Sequence, residues 1–152
     1  MRMNPKLLSL VQLSHLNHLV NAGRIRLVPI DLAKTERFIE QATLALIELP
    51  TIRTHQLRYD GSYNAAHDVG EALIAAYGFR TVNGPGQHIS IGEVLLIFFE
   101  GTSALEAAED FDDLRKARNQ SRYVANPIGK AKADAALHCA ELLFAHARIL
   151  LN

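Results

Sequence analysis

The chain carries a single cysteine, Cys139, in 152 residues. One thiol excludes an intrachain disulfide framework and fits a reducing compartment. It sits in a helical, apolar context, where an inert buried thiol is expected rather than a nucleophile. Tryptophan is absent and aromatic residues make up 7%. Alanine and leucine are abundant and β-branched runs are few, so the composition leans to helix. Neither sign of charge prevails: Lys plus Arg number 16, Asp plus Glu number 16, and the formal net charge is zero. That excludes a general polyanion binder and confines any nucleic-acid contact to a local patch. Long apolar runs are missing as well. The longest spans 94–99, too short for a bilayer, and His15, Asn17 and His18 break up the apolar residues after the N-terminal Arg2 and Lys6. A soluble, cytoplasmic protein without a membrane partner is expected.

Several chemical signatures are also lacking. No glutamate has a histidine three positions later, which excludes the usual di-iron site of helical bundles. There is no Walker-type phosphate loop, no H-E-x-x-H and no nucleophile elbow. His15 and His18 share a helical face but have no third ligand. No metal and no cofactor is expected. No internal repeat, low-complexity segment or interdomain linker is visible.

What is present is a succession of amphipathic segments. Asn4-Pro5 reads as a helix start, with leucines and valines recurring at helical spacing up to Gly23. Residues 1–24 are therefore expected to form an accessory helix, and 25–152 a single domain. Arg24 to Ile30 reads as a connector. Asp31 caps a helix over 32–49 that Pro50 stops. A second long helix covers 57–77 with Gly78 at its C-terminus, although Asp60-Gly61 reads as a turn that delays its start to Asp60. Gly70 inside it implies the close approach of a neighbouring helix. Residues 79–86 read as a loop, and Ser90 with Glu93 has capping-box spacing at the start of a shorter helix ending before Gly101. Ala125-Asn126-Pro127 reads as a turn, with Pro127 near the start of a last helix that runs to Leu151. Short connections between four long helices predict an all-α, antiparallel up-down four-helix bundle with an N-terminal accessory helix and a short inserted one.

The chemistry concentrates in 103–124. Ser103 and Glu106 again have capping-box spacing. The apolar stripe Ala107, Phe111, Leu114 leads to Arg118, an arginine where hydrocarbon is expected. A guanidinium on an inward stripe requires a partner, a wet cleft or a function, and Asp68 on the second long helix is a candidate partner. Arg115, Lys116, Arg118, Arg122, Lys130 and Lys132 cluster at the ends of two helices. Glu106, Glu109, Asp110, Asp112 and Asp113 precede them, a distribution that also suits the helix dipole.

Arg118-Asn119, with Arg122-Tyr123 and a proline-containing turn after it, resembles the signature region of the HEPN superfamily. The resemblance extends over about 31–151 and includes Tyr63-Asn64-Ala65-Ala66-His67 and Gly86-Gln87-His88. It implies a helical bundle, a homodimer, and either RNA or nucleotide binding, partner binding, or metal-independent RNA cleavage by a toxin paired with a nucleotidyltransferase-type antitoxin. By the resemblance, Arg118 holds a phosphate, together with its copy in a second subunit. Asn119 orients that phosphate or a ribose 2′-hydroxyl. Tyr123 stands where the family has its histidine. A phenol near its reference pKa of about 10 is a poor base at neutral pH, so His67 or His88 would have to substitute. Arg115, Arg118, Arg122 and Lys130 supply the nucleic-acid-binding patch. Three readings are open: a binding domain without full catalytic equipment, a metal-independent endoribonuclease of toxin or defence type, and a structural interaction module. In the ribonuclease reading the 2′-hydroxyl attacks the adjacent phosphorus without metal.

Overall fold

The computed structural model describes residues 2–123 and 126–152. They form a mostly helical domain of six helices with one small antiparallel pair of strands. In chain order these are α1 (Leu10–Asn21), β1 (Ile25–Leu27), α2 (Leu32–Glu48), α3 (His55–Ala76), β2 (Phe79–Thr81), α4 (Gln87–Phe98), α5 (Leu105–Tyr123) and α6 (Lys130–Leu151). α3 is the central element, buried on most of its circumference and packed against α2, α6, α4 and α5. One continuous core takes Tyr63, Val69 and Leu73 from α3, Ile91, Leu95 and Phe98 from α4, Phe111 from α5, and Leu143 and Ala147 from α6.

The N-terminus differs from the sequence expectation. The first helix starts not at Pro5 but after Ser9, whose hydroxyl and backbone exchange hydrogen bonds with the Gln12 backbone and side chain. This is a complete capping box. The Gln12 side-chain amide also donates to the carbonyls of Ile97 and Phe98, docking α1 on the end of α4. Residues 4–6 are held against the end of α6 instead, with Asn4 N donating to Leu151 O and Lys6 N to Leu150 O. Pro5 suits a first helical turn, but these non-local hydrogen bonds decide the outcome.

The expected connector and loop contain the two strands, which pair Ile25 with Thr81, Arg26 with Arg80 and Leu27 with Phe79. Asp31 caps α2 as expected, accepting from Lys34 N at 2.9 Å, and Pro50 stops it in a single 3₁₀ turn. Asp60-Gly61 is no turn: both lie inside α3. Gly78 adopts φ +85°, and a Cβ there would stand 2.9 Å from the Val28 carbonyl oxygen. A Cβ on Gly70 would stand 2.6 Å from Ile91 Cγ2, so this glycine is where α4 crosses α3 closely.

Neither later capping box forms. Ser90 Oγ donates to Gly86 O, and Glu93 pairs with Arg24. Ser103 turns to His146 instead of capping α5. The last helix begins at Lys130 with Gly129 as its N-cap, three residues beyond Pro127. The expected turn at Ala125 lies outside the described residues. Among the described residues no helix is long and apolar enough to cross a membrane.

Candidate functional site

α5 delivers its inward stripe to the face of α3 that carries Tyr59, Tyr63 and His67. Phe111 and Arg118 are seven residues apart, two helical turns or about 10.5 Å of rise. The Tyr63 ring centre lies 5.1 Å from the Phe111 ring, nearly parallel to it, and 5.1 Å from the guanidinium carbon of Arg118. These spacings fit a phenol ring filling the gap between the two α5 side chains. Tyr63 is fully buried. One turn before it on α3, the Tyr59 hydroxyl donates to the Leu114 carbonyl of α5 at 2.7 Å.

Arg118 is therefore inward-facing, with its side chain 19% exposed. Its nearest acid is Asp60, at 3.9 Å from Nε, and not Asp68. That separation is too long for a hydrogen bond, and Nε is buried without a partner among the described residues. Asp60 is itself held by Gln56, whose amide donates to Asp60 Oδ1 and to Ser121 Oγ, both at 3.2 Å. Asp68 is half-buried near Glu71, and its desolvation, with the neighbouring carboxylate, raises it to about 6.

Two imidazoles complete the cluster. The Tyr63 hydroxyl is 2.7 Å from His88 Nδ1. The two rings are nearly parallel with centroids 5.8 Å apart, and the short O···N contact means that they meet end-on rather than face to face. Burial lifts the Tyr63 phenol to about 12, against the opposing pull of Arg118 and Arg115. The phenol therefore keeps its proton and donates it, which assigns the proton of neutral His88 to Nε2. Burial also lowers His88, and the Arg118 and Arg115 charges act in the same direction. His67, one turn after Tyr63, lies 4.5 Å from His88 between ring centroids. Burial, then His88 and Arg118, lower it to about 4, so it is neutral at pH 7. Its Nε2 is buried with no partner among the described residues.

The other residues named from the sequence lie around this cluster or apart from it. Asn119 is half-buried beside Arg118, and Arg122 is exposed one turn further on. The Tyr123 side chain lies outside the described residues. Arg115 Nε bonds Asp112 Oδ1 at 2.9 Å, and Lys116 reaches the other oxygen of the same carboxylate at 3.1 Å. Lys130 pairs with Asp134 at 2.5 Å, and that carboxylate also receives Arg58 at 2.8 Å. Arg115, Arg118 and Arg122 thus lie along one stripe of α5, while Lys130 belongs to a separate ion-pair group on α6. Among the described residues no group of three His, Cys, Asp or Glu side chains is placed to hold a metal.

Asp60 and Gln56 were not legible as site residues. Tyr63 was visible only within a segment of the resemblance, while His88 was named, with His67, as a substitute for the family's histidine. The i, i+4 spacing of Tyr63 and His67 was the one local signal that they share a face. No family model, no curated protein and no solved structure matches the chain.

Proposed function

We propose that this chain is an HEPN-like domain that binds RNA at a phosphate through the cleft around Arg118, as a cytoplasmic homodimer without full catalytic equipment. In this reading α2, α3, α5 and α6 are the antiparallel up-down bundle, α1 is the accessory helix and α4 the inserted one. The observation that carries it is the Arg118 guanidinium. It is seated against the Tyr63 ring, and its Nε has no hydrogen-bonded acceptor among the described residues. A guanidinium held on the Tyr63 ring, with Asp60 3.9 Å from its buried Nε, is suited to meet a phosphate through its Nη groups. Beside it His88 presents a neutral N–H donor, which binds an anion without requiring protonation. Arg122 extends the same stripe one turn along, close to the spacing of successive phosphates. With zero net charge overall, attraction for RNA is local to this stripe.

The test is binding of labelled single-stranded RNA over a range of salt. Affinity should fall as salt rises, and Arg118→Ala should weaken binding about tenfold or more, with the salt slope reduced by about 0.7 for one lost phosphate. Identical binding by both proteins would remove Arg118 from the account and leave the reading of a structural interaction module.

The two imidazoles beside Arg118 favour a second reading, a metal-independent endoribonuclease held by a nucleotidyltransferase-type antitoxin. It requires a base, and His67, neutral at pH 7 with an unpartnered Nε2, is the group that has an unused lone pair or proton there. Cleavage that survives chelator and is lost in both Arg118→Ala and His67→Ala would establish this reading. Binding without cleavage rejects it.

A further inference from the structure

A second polar pair lies between the turn before α5 and the C-terminal half of α6. Ser103 Oγ is 2.8 Å from His146 Nε2, and His146 Nδ1 is 3.0 Å from the Leu142 carbonyl oxygen. A carbonyl can only accept, so Nδ1 carries the ring proton and Nε2 is bare. The serine hydroxyl then donates to Nε2. This is the arrangement in which an imidazole acts as general base toward a hydroxyl, with a backbone carbonyl fixing the tautomer. The Phe99 ring meets the imidazole edge-on, with centroids 6.4 Å apart.

Two further features adjoin the hydroxyl. The α5 start is uncapped: Ala104 O accepts from Ala108 N, but the alanine side chain offers no oxygen to the first-turn amides. The N–H groups of Glu106 and Ala107 have no acceptor among the described residues and carry the positive end of the helix dipole. A cavity of about 220 Å³ opens there, lined by Ser103, Glu106, Ala107, Asp110, His138 and Cys139 among others. Cys139 does not compete as a nucleophile. Burial raises its thiol to about 12, and Sγ donates to Ala107 O at 3.2 Å.

We propose that Ser103 and His146 form a nucleophile–base dyad that takes short acyl groups from activated esters. The cavity is smaller than the usual ligand pocket, so the acyl chain is short. Glu106 and Asp110 at its wall repel anions, so the ester is neutral or cationic. In the step, Ser103 Oγ attacks the ester carbonyl carbon as its proton passes to His146 Nε2. The carbonyl oxygen takes the negative charge, facing the first-turn amides of α5. The C–O bond to the alcohol breaks, and the leaving oxygen receives the proton from His146. Water, deprotonated by Nε2, then attacks the acyl carbon; the bond to Ser103 Oγ breaks, that oxygen takes the proton back from His146, and the carboxylic acid leaves.

The experiment incubates the full chain with a fluorophosphonate probe and, separately, with p-nitrophenyl acetate, then reads intact mass and maps the modified peptide. One adduct on Ser103 is expected, absent in Ser103→Ala and formed roughly 100-fold more slowly in His146→Gln. Because the Ser103 hydroxyl makes a tertiary hydrogen bond to His146 that Ser103→Ala removes, Ser103→Cys is the companion variant. Its thiol should react with iodoacetamide faster than the same thiol in Ser103→Cys/His146→Gln. No adduct on Ser103, or equal rates with and without His146 in either pair, overturns the proposal and leaves a structural hydrogen bond only.

Discussion

Tyr63 illustrates how much depends on a single side chain. Its ring separates Phe111 from Arg118 and its hydroxyl sets the tautomer of His88. Tyr63→Phe keeps the ring and removes the donor. We expect a stability loss of about 1 kcal/mol, the net worth of one hydrogen bond. We also expect His88 to rise, because the lost bond favoured its neutral form, while burial and the Arg118 and Arg115 charges still hold it below the ordinary imidazole value. NMR titration of His88 in the two proteins measures the second effect; an unchanged titration would reject the assigned donor. At this scale the sequence exposed only half of the site. Arg118 stood out because the α5 stripe is local and periodic. Asp60, Gln56 and His88 reach it from positions some 30 to 60 residues away in the chain, and no pattern within a helix encodes that.

At the scale of elements, the helices were legible because each carries an apolar stripe that one-dimensional periodicity reveals. The strands were not. Each is three residues long, and pairing residue 25 with residue 81 is a tertiary event. The capping boxes at Ser90 and Ser103 had the right spacing, but other partners took their hydroxyls: a carbonyl in one case and an imidazole in the other. Asp60-Gly61 looked like a turn, and the long run of buried positions on α3 overrides that local preference. The α3–α4 crossing offers the sharpest test. Gly70→Ala improves helix propensity by up to about 1 kcal/mol, but its methyl would press on Ile91 at 2.6 Å. Overpacking of a dense core costs about 1–3 kcal/mol, so the variant should be net destabilised in urea unfolding. A gain in stability would mean that α4 shifts without cost.

Over the whole molecule, acid acts on opposed groups: burial lowers His67 and His88 and raises Asp68 and Glu71, and His67 and Asp68 show the opposition. His67 falls from 6.5 to about 4 on folding. The unfolded chain therefore binds its proton first, and the stability present above pH 6.5 is lost as pH falls toward 4. Asp68 rises from 3.8 to about 6. Its contribution has the opposite sign: full below pH 3.8 and lost as pH rises through 6. Between about pH 4 and 6 the two slopes offset each other. His67→Gln should expose the Asp68 slope, with stability rising on acidification. Asp68→Asn should expose the His67 slope, with stability falling. Chemical denaturation at a series of pH values reads both, and parallel profiles for the two variants would show that the pair does not oppose.

The bonds from Asn4 and Lys6 to Leu151 and Leu150 make a latch of residues nearly the whole sequence apart. A label or carrier attached at residue 2 sits beside one attached at residue 152. Any bulky addition at one end thus crowds the other, and peeling the first few residues away uncovers the last turn of α6. A fluorophore and quencher placed on those two ends would sense release of this latch, even while the interior remained intact.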